Sequence, residues 1–315
     1  MIKAIDNPES AERDAQAYLD ADDSRPVVSI QGLNRTFGKK SALKDVAMEI
    51  PRGVVMGLVG LNGAGKTTLL KHILGLYRAQ SGTVSVFGRD PSRDPAFVLS
   101  QIGYLTEEDT LPGWMKVWQI LKFSKPFYPN WDDQYATELL ETFQIDPKKT
   151  IKRMSKGQRA RVGLTIALAH RPAFLVLDEP SSGLDPVVRN DILSAIIRTI
   201  ADQGKTVLFS SHLLDEVQRV SDMIAVMRNG QLVECGPLEK LQTRYQRVTL
   251  KTKDIENPPP MEALGTWQRT GDQWSAILDV EDEQLEQVVS AIGGSIVQSH
   301  GVSLNEWFLN SSRQQ

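Results

Sequence analysis

Apolar residues fall into short runs separated by glycine, proline and charge, and the pattern of these runs changes several times along the chain. Residues 1–25 carry Asp6, Glu9, Glu12, Asp14, Asp20, Asp22 and Asp23 with few large apolar side chains. Such a stretch buries too little surface to offset its ordering cost and reads as a solvated acidic tail or a short surface helix. From Val27 the runs at 27–30, 46–50, 54–59 and 83–87 are strand-like and bounded by turn residues. Between about Glu107 and Arg161 the chain becomes lysine-rich, contains tryptophans and takes a helical period. Apolar strands return at 174–177 and 207–210, each followed by a helical pattern. Strands alternating with helices predict an α/β core of parallel strands spanning 26–241, with 107–161 as a helical insertion. Beyond it, 274–280 reads as a strand, and Leu285, Val288, Val289 and Ile292 recur at helical spacing before Gly293–Gly294. Residues 246–315 are therefore expected to form a small α+β appendage.

Composition narrows the class. A chain of 315 residues can hold one large domain plus a smaller one, or two modest ones. A net charge of −3 argues against a protein built to coat nucleic acid. The single cysteine, Cys235, excludes a disulfide framework or a cysteine-rich metal site and fits a reducing cytoplasm. No basic-then-apolar leader opens the chain, and no apolar run approaches the ~18 residues of a membrane span. Any service to a membrane is expected to pass through a partner.

The strand at 54–59 runs into Gly60-Leu61-Asn62-Gly63-Ala64-Gly65-Lys66-Thr67-Thr68, and a helical pattern follows in Leu69, Leu70, Ile73 and Leu74. Strand, glycine-rich loop and helix in that order make a P-loop from Gly60 to Thr67. Its backbone N–H groups would face the phosphates of ATP at a helix N-terminus. Lys66 would reach the β- and γ-phosphates, and the Thr67 hydroxyl would ligate Mg²⁺. Such a loop needs an acid at the end of a buried strand, and 174–177 leads into Asp178-Glu179. Asp178 would support the metal and Glu179 would act as general base on the attacking water.

Ser155-Lys156-Gly157-Gln158 reads first as a capping box opening a helix through residue 169. The same geometry makes a second helix N-terminus able to bind an anion. Lys148, Lys149, Lys152, Arg153, Lys156, Arg159 and Arg161 crowd around it. At this point the chain resembles the nucleotide-binding subunits of ABC transporters. Ser155-Lys156-Gly157-Gln158 resembles their signature motif, Ser182-Gly183-Leu184-Asp185 their D-loop, and Ser211-His212 the switch histidine at the γ-phosphate. Phe37 stands where the family stacks an aromatic ring on adenine. The likeness covers about 27–240, with the motifs in the family's order. It implies a P-loop NTPase fold of ABC type with an inserted helical subdomain. It also implies a head-to-tail dimer, with itself or a paralogous subunit, closing on two Mg-ATP. Each ATP would lie between Lys66, Thr67, Thr68, Asp178, Glu179 and His212 of one subunit and Ser155, Gly157 and Gln158 of the other, with Asp185 near the interface.

Two positions depart from the family. Glu107 stands where a glutamine usually touches the metal and couples to the membrane partner, and Lys156 replaces a glycine. The segments 127–132, 182–189 and 303–308 resemble bacterial export systems that pair an ATPase with a separate multispanning permease. That places the chain at the cytoplasmic face of the cell membrane, with no nucleic-acid partner expected. Trp114 and Trp118, at i and i+4 on one helical face of the insertion, read either as a packed core or as a socket for a permease helix. The rival reading is a soluble ABC-type ATPase acting on ribosomes or nucleic acid. It is opposed by the single P-loop, the contiguous motifs and the lone cysteine. A guanine-selecting Asn-Lys-x-Asp motif is absent from the sequence. A module without hydrolysis is opposed by Lys66, Asp178, Glu179 and His212.

Overall fold

The computed structural model describes residues 25–108, 110–201, 204–252, 256–280 and 282–311. The acidic stretch 1–24 lies outside them. In chain order the first elements are β1 (Val28–Phe37), β2 (Lys40–Ile50), β3 (Val55–Val59), α1 (Lys66–Ile73), β4 (Ser81–Val86), α2 (Pro95–Ser100) and β5 (Ile102–Leu105). There follow α3 (Val117–Ser124), α4 (Asp133–Thr142), α5 (Lys156–Leu168), β6 (Phe174–Asp178), α6 (Pro186–Ala201) and β7 (Thr206–Ser211). The remainder comprises α7 (Leu214–Val220), β8 (Met223–Arg228), β9 (Gln231–Pro237), α8 (Leu238–Arg244), β10 (Tyr245–Lys251), β11 (Leu264–Thr270), β12 (Gln273–Asp279), α9 (Asp282–Ala291), β13 (Ser295–Gly301) and α10 (Leu304–Ser311).

Contacts divide the described residues into two compact units, those up to 212 with 223–235, and 213–222 with those from 236 onward. The first contains a six-stranded sheet in the order β5-β6-β7-β3-β8-β9. Its β5–β6, β6–β7, β7–β3 and β3–β8 pairs are parallel. Every residue of β3, β6 and β7 is buried, as expected of parallel strands covered on both faces. A separate antiparallel sheet, β2-β1-β4, shares a core cluster with it through Val28, Ile30, Leu33, Met56, Leu58 and Leu69.

The β1–β2 hairpin is longer than the runs at 27–30 and 46–50 predict, because pairing continues to Phe37 and Lys40 through several register shifts. Those shifts break the two-residue alternation on which a sequence reading depends. The inserted region is helical, with α5 opened by the capping box of Ser155 and Gln158. Trp114 lies before α3 rather than on it. At 75% and 45% exposure, Trp114 and Trp118 are surface residues and not a packed core. No helix among the described residues is long and apolar enough to cross a membrane.

The second unit is a four-stranded sheet, β11-β12-β10-β13, whose residues Val248, Leu250, Ala276 and Leu278 pack against Leu285 and Val289 of α9. It also takes in α7, where Gln218 accepts a hydrogen bond from the Leu304 N–H at 2.9 Å.

Candidate functional site

Strand β3 ends in the core at Val59, and the loop that follows turns into α1, which begins at Lys66. Gly65, the residue before α1, has φ +111°, and a Cβ there would lie 2.7 Å from the Ala42 carbonyl oxygen. Only glycine satisfies both conditions. No side chain caps α1. The N–H groups of its first turn are thus left to a ligand, at the positive end of the helix dipole. Above the loop opens a cavity of about 400 Å³. Phe37, Asn62, Gly63, Gly65, Lys66, Thr67, Thr68, Glu107 and Glu179 line it, together with Lys40. The Gly60 carbonyl accepts a hydrogen bond from Lys66 Nζ at 2.6 Å. A Cβ on Gly60 would approach the Met227 carbonyl oxygen to 2.6 Å, so the loop lies against β8.

Strand β6 leads into the two acids, and Glu179 reaches this loop. The parallel register of β6 and β7 sets Asp178 beside Ser210. The Ser210 hydroxyl donates to Asp178 Oδ1 at 2.7 Å and accepts the Glu179 N–H at 2.9 Å. Both acids are buried. Glu179 has φ +48°, a left-handed conformation that costs a non-glycine residue energy and that surrounding contacts must hold in place. Its Oε1 lies 3.0 Å from Lys66 Nζ, and its Oε2 accepts from His212 Nδ1 at 2.7 Å. A carboxylate held between an ammonium and an imidazole at the edge of this cavity can accept a proton from water. The imidazole leaves its Nε2 free of that bond.

Among the described residues, no three histidine, cysteine or acidic side chains form a preformed metal cage. Thr67, Asp178 and Glu107 carry hard oxygen donors, the chemistry that would suit Mg²⁺ completed by phosphate oxygens and water; Thr67 and Glu107 line the cavity and Asp178 does not. Glu107 Oε1 accepts from the Ser182 hydroxyl at 3.3 Å, and the Ser182 carbonyl accepts from Lys156 Nζ at 2.7 Å. The two positions that depart from the family pattern are therefore joined through one serine.

Ser155, Gly157 and Gln158 do not line this cavity. They open α5, where Ser155 Oγ accepts the Gln158 N–H and Gln158 Oε1 accepts the Ser155 N–H, each at 3.2 Å. Lys149 Nζ donates to the same Gln158 oxygen at 3.0 Å. Asp185 caps α6, accepting the N–H groups of Val187 and Val188 at 3.0 and 3.1 Å. The sequence reading did not single out Ser210 or Lys40. Ser210 reads as one more strand residue, and only the pairing of β6 with β7 reveals its partner.

Comparisons with known proteins identify the family. A family model described as ABC transporter matches residues 43–182. The uncharacterised ABC transporter ATP-binding protein YdbJ of Bacillus subtilis is 30% identical over 283 residues, covering 86% of this chain and 89% of its own length. The bacitracin transport ATP-binding protein BcrA of Enterococcus faecalis is 31% identical over 71% of this chain and 73% of its own. A solved ATP-binding subunit of an ABC transporter, 26% identical, matches 69% of this chain and 92% of that one with a TM-score of 0.63. The chain belongs to the family of ABC transporter ATP-binding proteins and is an ABC-type ATPase.

Proposed function

We propose that this chain powers export through a separate multispanning permease, hydrolysing Mg-ATP at the cytoplasmic face of the membrane as one half of an ATPase dimer. The observation that carries the hydrolytic part is the Glu179 carboxylate, held between Lys66 and His212 beside the P-loop. Lys66 and the first-turn N–H groups of α1 would bind the phosphates, and Phe37 would stack on the base. Thr67, Asp178 and Glu107 would hold Mg²⁺, which neutralises phosphate charge when bound. Glu179 would take the proton of the attacking water while His212 keeps its carboxylate oriented and reaches the γ-phosphate. Ser155, Gly157 and Gln158 open a capped helix away from the cavity of their own chain. Their role would be to close on the ATP of a second ATPase subunit, identical or paralogous, with Asp185 near that interface.

The likeness to a bacitracin transport protein supports transport as the purpose. So does the exposure of Trp114, Trp118, Phe123 and Phe127 on and around α3. An apolar group of that kind marks an interaction surface, and a cytoplasmic helix of the permease would cover it.

The test uses the full chain carrying Glu179→Gln, expressed in its native cells and purified with ATP from solubilised membranes. A stoichiometric multispanning protein in the eluate is the expected result. A chain recovered alone, or with ribosomes or DNA, would transfer the function to a soluble ABC-type ATPase. A companion variant, Lys66→Ala, is expected to weaken ATP binding by about tenfold or more, the worth of a charged hydrogen bond. Unchanged affinity would remove the phosphate role from the loop.

A further inference from the structure

We propose that Arg35, Tyr77 and Gln80 are positioning residues that hold Phe37 as a preformed stacking face for the purine ring of the nucleotide. The inference rests on the reading of Phe37 as the base platform and adds how that platform is held.

Phe37 ends β1 at a hairpin tip, followed by Gly38 at φ +57°, and is 41% exposed. An aromatic ring in such a place would ordinarily exchange between rotamers. Here three groups restrain it. The Tyr77 ring meets it edge to face, with centroids 5.5 Å apart and planes at 62°. The Arg35 guanidinium lies 4.6 Å from the Phe37 centroid and 4.9 Å from that of Tyr77, so one cation serves both rings. The Gln80 side chain fixes the adjoining backbone, accepting the Thr36 N–H at 2.7 Å and donating to the Thr36 carbonyl at 3.1 Å. The phosphate-site cavity touches Phe37 but neither Arg35 nor Tyr77. The ring is thus backed from outside the cavity and open toward it.

Tyr77 is itself tied to the phosphate side. Its ring meets that of buried His72 at a centroid distance of 5.6 Å, and His72 Nδ1 donates to the Thr68 carbonyl at 2.8 Å. Thr68 belongs to the first turn of α1 and lines the cavity. A continuous run of contacts, from Thr68 through His72 and Tyr77 to Phe37, therefore sets the spacing between phosphate loop and base platform. Fixing the ring before the nucleotide arrives removes the ordering cost of one side chain. That cost corresponds to about two- to tenfold in affinity.

The test measures binding of Mg-ATP and of magnesium tripolyphosphate, which lacks a base, to the full chain by calorimetry. Tyr77→Leu and the surface variant Gln80→Ala are each expected to weaken ATP about two- to tenfold and to leave tripolyphosphate unchanged. Adding Tyr77→Leu to Phe37→Ala is expected to cost nothing further, because Tyr77 acts through Phe37. Equal weakening of both ligands, full additivity, or ATP binding unchanged in both single variants would overturn the brace. Unchanged ATP affinity in Phe37→Ala would instead overturn the platform itself, and the brace with it. Loss of the phosphate reading is seen separately, as Lys66→Ala binding tripolyphosphate like the wild type.

Discussion

Lys66 Nζ and Glu179 Oε1 lie 3.0 Å apart with both side chains only 6% exposed. A triphosphate entering the loop would compete with that carboxylate for the ammonium. Removing one charge of a buried pair leaves the other in need of a partner, and here the incoming phosphate supplies one. Glu179→Gln is therefore expected to bind ATP more tightly, by several-fold, while turnover falls by roughly 10²–10⁴, the contribution of a positioned general base. Equilibrium binding and phosphate release, measured on the same preparation, check both. Turnover equal to wild type would end the role assigned to Glu179.

Ser210 is fully buried between the two acids and satisfies one group on each. Ser210→Ala leaves Asp178 Oδ1 and the Glu179 N–H without that hydroxyl. A stability loss of about 1–3 kcal/mol is expected, together with reduced ATPase activity because Glu179 keeps its left-handed backbone only while its surroundings hold it. Chemical denaturation and steady-state hydrolysis are the measurements.

Gly157 packs so closely that a Cβ would fall 2.8 Å from Val188 Cγ2. Gly157→Ala should destabilise the chain by about 1–3 kcal/mol through overpacking. Adding Val188→Ala should recover part of it, since the obstructing atom is a side-chain methyl rather than backbone. Thermal unfolding of the two single variants and the double variant reads this coupling. Additive losses would show that the contact is not the cause.

His170 is buried, stacks on Tyr128 at 3.9 Å and donates through Nε2 to the Ile102 carbonyl at 3.2 Å. Burial lowers its pKa from 6.5 to about 4. The unfolded chain then takes up a proton near pH 6.5 that the folded chain refuses. Stability therefore falls as pH drops from about 6.5 to about 4, by on the order of 3 kcal/mol, and this contribution is flat outside that window. His170→Phe should lose this part of the slope in a series of urea melts. An unchanged slope would place the titration elsewhere.

Much of the site was legible along the chain because its parts are local. The P-loop is one strand, one glycine-rich turn and one helix start, and Asp178 ends the five-residue buried strand Phe174–Asp178 with Glu179 next to it. The capping box of Ser155 and Gln158 was legible for the same reason, since both partners fall within one helical turn. The length of the β1–β2 hairpin was not, because its register shifts hide the alternation. Nor was the exposure of Trp114 and Trp118, since an aromatic pair four residues apart reads equally well as core or as surface.

The sequence by itself determined the strand, glycine-rich turn and helix start of the phosphate loop and the position of Asp178-Glu179 at a strand end, because hydrophobic period and glycine placement act over a few neighbouring residues. The tertiary structure alone decided which groups meet. Glu179 faces both Lys66 and His212, Ser210 joins the two acids, Ser182 links Glu107 to Lys156, and Tyr77 backs Phe37. Those contacts span from 26 to more than a hundred residues of chain. They follow from parallel strand register and close packing, which no local pattern of side chains encodes.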